Sequence, residues 1–205
     1  MWQISAQNIG HKFNQRCIFD GISFNISEGQ SIVITGPNGS GKTTLLRIIC
    51  HLIRPSQGQL IFSWDKDELS IDKLYRYLGL VGPYLQLYND LSAFENYKFF
   101  AKIRGLTNDL QYFKFLMKRM GLAGRELDEL NTYSSGMLQR AKYVMALIHQ
   151  PPILILDEPT ANLDDNGAAI VYKIMEEQKK DKILILATNE PEEFKFGEQK
   201  ISLNS

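Results

Sequence analysis

The octapeptide Gly36-Pro-Asn-Gly-Ser-Gly41-Lys42-Thr43 fits the pattern G-x-x-x-x-G-K-[ST] and stands between two segments of different periodicity. Before it runs the apolar stretch Ser31–Thr35; after it Leu45, Leu46, Ile48, Ile49 and Leu52 recur at helical spacing. A strand, a glycine-rich turn and a helix in that order build a cradle for phosphate. Gly36, Gly39 and Gly41 permit backbone angles that turn successive N–H groups inward, and a helix N-terminus adds partial positive charge. Lys42 then reaches the β- and γ-phosphates, and the Thr43 hydroxyl is placed to ligate Mg2+. The loop therefore predicts a bound nucleoside triphosphate.

Two further runs share the form of Ser31–Thr35: Ile153-Leu-Ile-Leu156 and Ile183-Leu-Ile-Leu-Ala-Thr188. Each is apolar at every position and ends abruptly in polar residues. Runs without alternation suit strands of a parallel sheet covered on both faces. Helical stretches between them point to an α/β fold with right-handed crossovers, whose ligands bind beyond the carboxyl ends of the strands. Residues 22–26 alternate as a half-buried strand, 27–29 turn the chain, and 59–62 offer a further strand. Residues 84–150 read as helical throughout, a helical insertion within the core. There Ser92 and Glu95 have capping-box spacing, and Phe94, Tyr97, Phe100 and Ile103 form a packing stripe. A second helix covers 110–120, with Tyr112, Phe113, Leu116 and Met120 on one face.

At 205 residues, with 44% hydrophobic and 22% charged side chains, the chain is long enough to bury about 70% of the surface its unfolded form exposes. Its 23 basic and 23 acidic residues cancel, which disfavours a protein that holds nucleic acid on a basic face. Cys17 and Cys50 have no metal-ligand or redox spacing and are expected to be buried thiols in a reducing compartment. The N-terminus shows no secretory signal, and no apolar run approaches the roughly 18 residues of a membrane span. A soluble, intracellular chain is expected, with any membrane part supplied by a partner.

Asp157 and Glu158 follow the run Ile153-Leu-Ile-Leu156 directly. A carboxylate at the end of a buried strand is costly unless a metal or a reactive water faces it. Asp157 suits contact with Mg2+, and Glu158 suits polarising the water that attacks the γ-phosphate.

These residues carry a resemblance. Tyr133-Ser134-Ser135-Gly136-Met137-Leu138-Gln139-Arg140 is similar to the signature L-S-G-G-Q-x-Q-R of ATP-binding cassette (ABC) transporter subunits. Asp157-Glu158-Pro159-Thr160 resembles that family's Walker B and catalytic glutamate segment, and Ala161-Asn162-Leu163-Asp164 resembles its D-loop. The likeness runs from about residue 3 to residue 203 and implies a P-loop NTPase (RecA-like) core with an antiparallel β subdomain. Residues 1–83 and 151–205 would form the nucleotide-binding core, and residues 84–150 an inserted helical subdomain with the signature. The resemblance implies ATP contacts at Phe13, which stacks on adenine, and at Gly36, Pro37, Asn38, Gly39, Ser40, Gly41, Lys42, Thr43 and Thr44. It implies Mg2+ on Thr43 and Asp157, and catalysis by Glu158 with Lys42 and Asn189. It implies a head-to-tail homodimer, or a heterodimer with a related cassette, around two ATP. Ser134, Ser135, Gly136, Met137 and Gln139 would act across that interface, with a helix following from Leu138, together with Asn162, Leu163 and Asp164.

Two positions depart from the family. Where it places a glutamine that senses Mg2+ and the attacking water, length alignment puts Pro83, which has neither a side-chain amide nor a backbone N–H. Gln86 substitutes only if the loop is re-routed. Where the family places a switch histidine, this chain has Asn189, which can donate a hydrogen bond but cannot carry a proton charge. The expectation is a transport-coupled ATPase of reduced rate, peripheral on the cytoplasmic face of a membrane. It would dock on a separate permease through aromatics of residues 83–88, including Tyr84, Leu85 and Tyr88, and through the Phe94–Phe100 stripe. Compact cassettes of this kind resemble exporter subunits, including those of cytochrome c maturation. The alternatives are a nucleotide-binding switch too slow to pump, or a soluble ABC ATPase acting on ribosomes or DNA.

Overall fold

The computed structural model describes residues 1–14, 16–107 and 109–204. Two sheets organise it. Strands β1 (Trp2–Phe13), β2 (Arg16–Ser27), β4 (Gln57–Trp64) and β5 (Asp67–Glu68) form an antiparallel sheet in the order β2-β1-β4-β5. Strands β3 (Ser31–Thr35), β6 (Leu78–Val81), β7 (Ile153–Asp157), β8 (Ile183–Ala187) and β9 (Gln199–Ser202) form a parallel sheet in the order β6-β7-β8-β3-β9.

The three apolar runs are the three central strands, and each residue of β3, β7 and β8 is buried. Their lettering explains the layers. Ile32, Ile34, Ile153, Ile155, Ile183 and Ile185 face the antiparallel sheet and helix α1 (Lys42–Ile49), which brings Leu45, Leu46, Ile48 and Ile49 into the same core. Val33, Leu154, Leu156, Leu184 and Leu186, one residue out of phase, face the helices on the other side. Period-2 geometry sends alternate side chains to opposite faces, and here both faces are covered. Each fully buried Ile or Leu contributes about 1.5–3 kcal/mol relative to exposure.

The helical insertion contains α3 (Ala93–Arg104), α4 (Leu110–Arg119) and α5 (Ser135–Leu147); α2 (Ile71–Leu74) precedes β6, and α6 (Asp165–Asp181) joins β7 to β8. The capping box is present: the Ser92 side chain accepts from the Glu95 N–H, and Glu95 accepts from the Ser92 N–H. Tyr97 stacks on Phe113 at 4.5 Å, locking α3 to α4.

Several expectations need correction. Residues 84–150 are not helical throughout, because residues 84–92 and most of 120–134 run as turns and loops between the helices. Helix α5 begins at Ser135 rather than at Leu138, since Ser134 caps it by accepting from the Met137 N–H at 3.3 Å. Ile103 does not join the packing stripe and is 53% exposed, whereas Tyr97 is 3% exposed. Cys17 is exposed on β2, an edge strand, while Cys50 at the end of α1 is half-buried; both are free thiols. Strand β1 carries no clear alternation because register shifts against β2 interrupt it between Ala6 and Ile9 and beyond.

Candidate functional site

Neighbouring strands of the parallel sheet end at one level, since Asp157 pairs with Ala187, Ile34 with Ala187 and Val81 with Leu156. Four loops therefore emerge side by side: 36–41 after β3, 82–92 after β6, 158–164 after β7 and 188–190 after β8. Lys42 and Thr43 open α1 at the end of the first loop, Asp157 ends β7, and Glu158 and Asn189 stand on the third and fourth loops.

The phosphate loop has the backbone that its glycines allow. Gly39 and Gly41 have φ of 84° and 97°, and Gly41 in the left-handed region is the residue from which α1 starts. A Cβ at Gly41 would lie 2.6 Å from a methyl of Ile18 and 2.9 Å from the Phe19 ring, so the antiparallel sheet also demands glycine there. Lys42 is 6% exposed, and its Nζ donates to the Gly36 carbonyl at 2.8 Å and the Pro37 carbonyl at 3.3 Å. The ammonium is thereby held over the loop rather than in solvent. Ser40 is buried and its Oγ lacks a protein partner. Phe13, at the end of β1, is 68% exposed and free to stack on a planar ligand.

Asp157 is 1% exposed, and both carboxylate oxygens are buried without a hydrogen-bond partner among the described residues. Burial pushes its carboxyl above the ordinary carboxylate range, with the Thr43 hydroxyl and Lys42 pulling it back. An orphaned buried carboxylate beside a threonine hydroxyl fits a divalent cation. Mg2+ uses one or two carboxylates plus substrate phosphates and needs no dedicated cluster. Among the described residues no group of three or more His, Cys, Asp or Glu is arranged to hold a metal.

Glu158 is half-buried with φ of 49°, in the left-handed region, and its N–H donates to the Ala187 carbonyl at 2.9 Å. Such a conformation costs about 1–3 kcal/mol in a residue other than glycine and persists where the surroundings enforce it. Burial raises its pKa; Lys42 lowers it, and Asp157 and Glu193 raise it further. Asn189, on the adjacent loop, donates through Nδ2 to Asn38 Oδ1 at 2.5 Å.

Pro83 and Gln86 are both exposed. Gly82 is buried, and a Cβ there would lie 3.2 Å from both Asp157 Cβ and the Tyr84 ring. The Tyr84 ring stacks under the Arg47 guanidinium at 5.1 Å, and its hydroxyl is buried without a partner. Lys142 of α5 donates to the Gly82 carbonyl at 3.3 Å.

The signature residues divide. Ser134 and Ser135 are exposed at the α5 N-terminus, and Gly136 and Met137 are half-buried. A Cβ at Gly136 would stand 3.0 Å from the Asn162 carbonyl, so the signature and the 158–164 loop meet within one chain. Gln139 is 7% exposed and, with Gln86 and Asn162, lines an open cleft of about 360 Å³. Asp164 caps α6 by accepting from the Gly167 N–H at 2.9 Å, and Leu163 packs on the helical core. Sequence reasoning missed Tyr84 as a neighbour of Asp157, Lys142 as a tie to Gly82, and Glu193, a fully buried acid on the 3-10 turn Pro191–Phe196.

Residues 19–161, which include the phosphate loop, the signature and the acidic pair, match the family described as ABC transporter. The chain belongs to this family. The cassette is 35% identical to the uncharacterised ABC transporter ATP-binding protein YdbJ of Bacillus subtilis over 164 residues, 80% of this chain and 53% of that protein. It thus spans about half the length of that relative. It is 33% identical over 190 residues to the cytochrome c biogenesis ATP-binding export protein CcmA of Brucella abortus, covering 92% of this chain and 86% of that one. A solved ATP-binding cassette, dimeric in a post-hydrolysis state with ADP and Pi, superposes with a TM-score of 0.85 at 26% identity, covering 98% and 94% of the two chains. The cassette's fold class is accordingly that of the P-loop ATPases, with parallel and antiparallel sheets and an inserted helical region.

Proposed function

We propose that the cassette binds ATP with Mg2+ at the phosphate loop and hydrolyses it to power a transporter whose membrane-spanning part is a separate permease. The observation that carries this reading is the meeting of Lys42, the partnerless carboxylate of Asp157, and Glu158 at the ends of adjacent parallel strands.

In this reading the loop N–H groups and Lys42 hold the β- and γ-phosphates, with Phe13 against the adenine. Thr43 and Asp157 would hold Mg2+, which would supply charge neutralisation for the phosphates. Glu158 accepts a proton from the attacking water. The new O–P bond forms as the bond to the β-phosphate oxygen breaks, and the leaving oxygen's charge is met by Lys42. Asn189 Nδ2 carries a second N–H besides the one given to Asn38, and that N–H donates to a γ-phosphate oxygen.

The exposed Ser134 and Ser135 at a helix N-terminus support a head-to-tail dimer in which they meet the γ-phosphate held by a second cassette. A cleft of about 250 Å³ supports permease docking. Leu85, Leu87 and Phe100 line it with Ile71 and Tyr75, which are 61% and 41% exposed, and Tyr88 stands 49% exposed nearby. Loop aromatics of this kind anchor interfaces. No helix among the described residues is long and apolar enough to cross a membrane; the reading places the cassette on the cytoplasmic face, as a subunit peripheral to the membrane. A relative's export role favours export as the direction.

Equilibrium binding of ATP, with and without Mg2+, tests the nucleotide part. Tight binding should be lost in Lys42→Ala, and the gain from Mg2+ should be lost in Asp157→Asn. Co-purification tests docking: Leu85→Asp with Tyr88→Asp should detach the permease, and retention by a folded double variant contradicts it. A slower switch-like cycle is favoured by one observation, the commitment of the Asn189 amide to Asn38.

A further inference from the structure

Glu193 is the acid that the mechanism above does not use. It is 0% exposed, yet among the described residues it forms no salt bridge. One oxygen, Oε1, accepts from the Thr160 hydroxyl at 2.6 Å; the other, Oε2, is buried without a partner. A buried carboxyl in that state is costly, and an apolar residue of similar volume would fill the space without the cost. Accepting the Thr160 hydrogen bond is a task that an apolar side chain cannot perform.

The position of Glu193 shows what that bond does. Thr160 lies two residues after Glu158, inside the turn closed by Ala161 N–H to the Glu158 carbonyl at 3.1 Å and Leu163 N–H to the Thr160 carbonyl at 3.1 Å. The same turn is held from α5 by the fully buried Tyr143, whose hydroxyl donates to the Pro159 carbonyl at 2.7 Å. Glu193 holds it from the opposite quarter. It sits on the 3-10 turn Pro191–Phe196, four residues after Asn189, and the intervening Glu190 N–H donates to the Thr188 hydroxyl at 2.9 Å. The hydrogen bond from the Thr160 hydroxyl to Glu193 therefore joins the loop carrying Glu158 to the loop carrying Asn189. Glu158 needs such a constraint, because its φ of 49° is one that a residue other than glycine keeps only when neighbours enforce it. The turn also leads into Asn162, whose carbonyl abuts Gly136.

We propose that Glu193 is a positioning residue of the hydrolytic site, acting through the Thr160 hydroxyl to hold Glu158 at the reacting water and in register with Asn189. The proposal rests on the reading that Glu158 supports hydrolysis. Burial raises the Glu193 pKa, opposed by the Thr160 and Thr188 hydroxyls, so a neutral amide is a fair replacement for its role as acceptor.

Single-turnover phosphate release from ATP and Mg2+, with the full chain in excess, is measured beside equilibrium ATP affinity for six proteins: wild type, Glu193→Met, Glu193→Gln, Thr160→Val, the Glu193→Met/Thr160→Val double variant and Glu158→Gln. Misplacing a catalytic group by about 1 Å costs about 10²-fold in rate. Glu193→Met and Thr160→Val should each slow phosphate release by about 10- to 100-fold with ATP affinity kept. The double variant should be no slower than the slower single one, and Glu193→Gln should recover most of the loss. Thr160→Val, which changes one half-buried hydroxyl, keeps the test decisive if Glu193→Met does not fold. Wild-type rates in Thr160→Val, or parallel loss of rate and affinity, overturn the proposal while a slow Glu158→Gln leaves the hydrolytic reading standing. A Glu158→Gln variant as fast as wild type overturns both.

Discussion

The Asn189 Nδ2 donates to Asn38 Oδ1 at 2.5 Å, so the loop after β8 is tied directly to the phosphate loop after β3. The residue that would contact a γ-phosphate is thus already engaged by the protein. Asn189→Ala removes both the tie and the donor, and phosphate release should fall by about tenfold, the effect of losing roughly 1.4 kcal/mol of transition-state stabilisation. Asn189→His should exceed the wild-type rate and acquire a pH dependence near the ordinary imidazole value of about 6.5. Single-turnover measurements across pH check both outcomes.

The wild-type rate should itself lose activity on the acid side at a pH above the ordinary carboxylate value of about 4.3. Glu158 must be ionised to accept a proton, and burial, with Asp157 and Glu193 adding to it, raises its pKa against the pull of Lys42. A pH profile of phosphate release whose acid limb lies at or below the ordinary value contradicts this.

Stability should depend on pH through His149. Burial, then the nearby Arg104, lowers its pKa to about 3, while its Nε2 lies 3.0 Å from the Leu78 carbonyl. Below pH of about 6.5 the unfolded chain takes up a proton that the folded chain refuses. The folded state then loses stability as pH falls toward 3, by up to about 1.4 kcal/mol per unit. Asp157, Glu158 and Glu193 have raised values and the opposite slope, losing stability as pH rises through them. In denaturant titrations His149→Gln should flatten the loss between pH 6 and 4 (about that window) and leave the higher-pH behaviour unchanged.

Gly82 should tolerate little. A Cβ there meets both Asp157 and the Tyr84 ring at 3.2 Å, so one of them has to give. Gly82→Ala should destabilise the cassette by about 1–3 kcal/mol, the range for overpacking, and weaken the effect of Mg2+ on ATP affinity. Thermal unfolding together with ATP binding at several Mg2+ concentrations checks this.

What was legible in the sequence followed from local pattern. The runs of β3, β7 and β8 read as doubly covered strands because they lack alternation in polarity, and the Ile/Leu parity then sorts their two faces. The phosphate loop and the acidic pair were readable because their chemistry is carried by neighbours in the chain. Strand β1 was not, since its bulges break the period that would announce it. Glu193 was hidden for another reason: its partner Thr160 lies 33 residues away, and only the folded chain brings them to 2.6 Å. Tyr84 likewise gains its meaning from Gly82, whose missing side chain leaves room for both the ring and Asp157 Cβ beside it. The exposure of Cys17 and Ile103 and the burial of Gln139 are set by tertiary packing, which residue type alone does not specify.

Phosphate release from ATP and Mg2+ by the wild-type chain and by Glu158→Gln, with ATP affinity measured for both, tests the central claim most directly. General-base catalysis contributes about 10²–10⁴-fold, so the variant should bind ATP as tightly as wild type while its release rate falls by about that factor. Equal release rates at equal affinity would contradict the assignment of hydrolysis to this site.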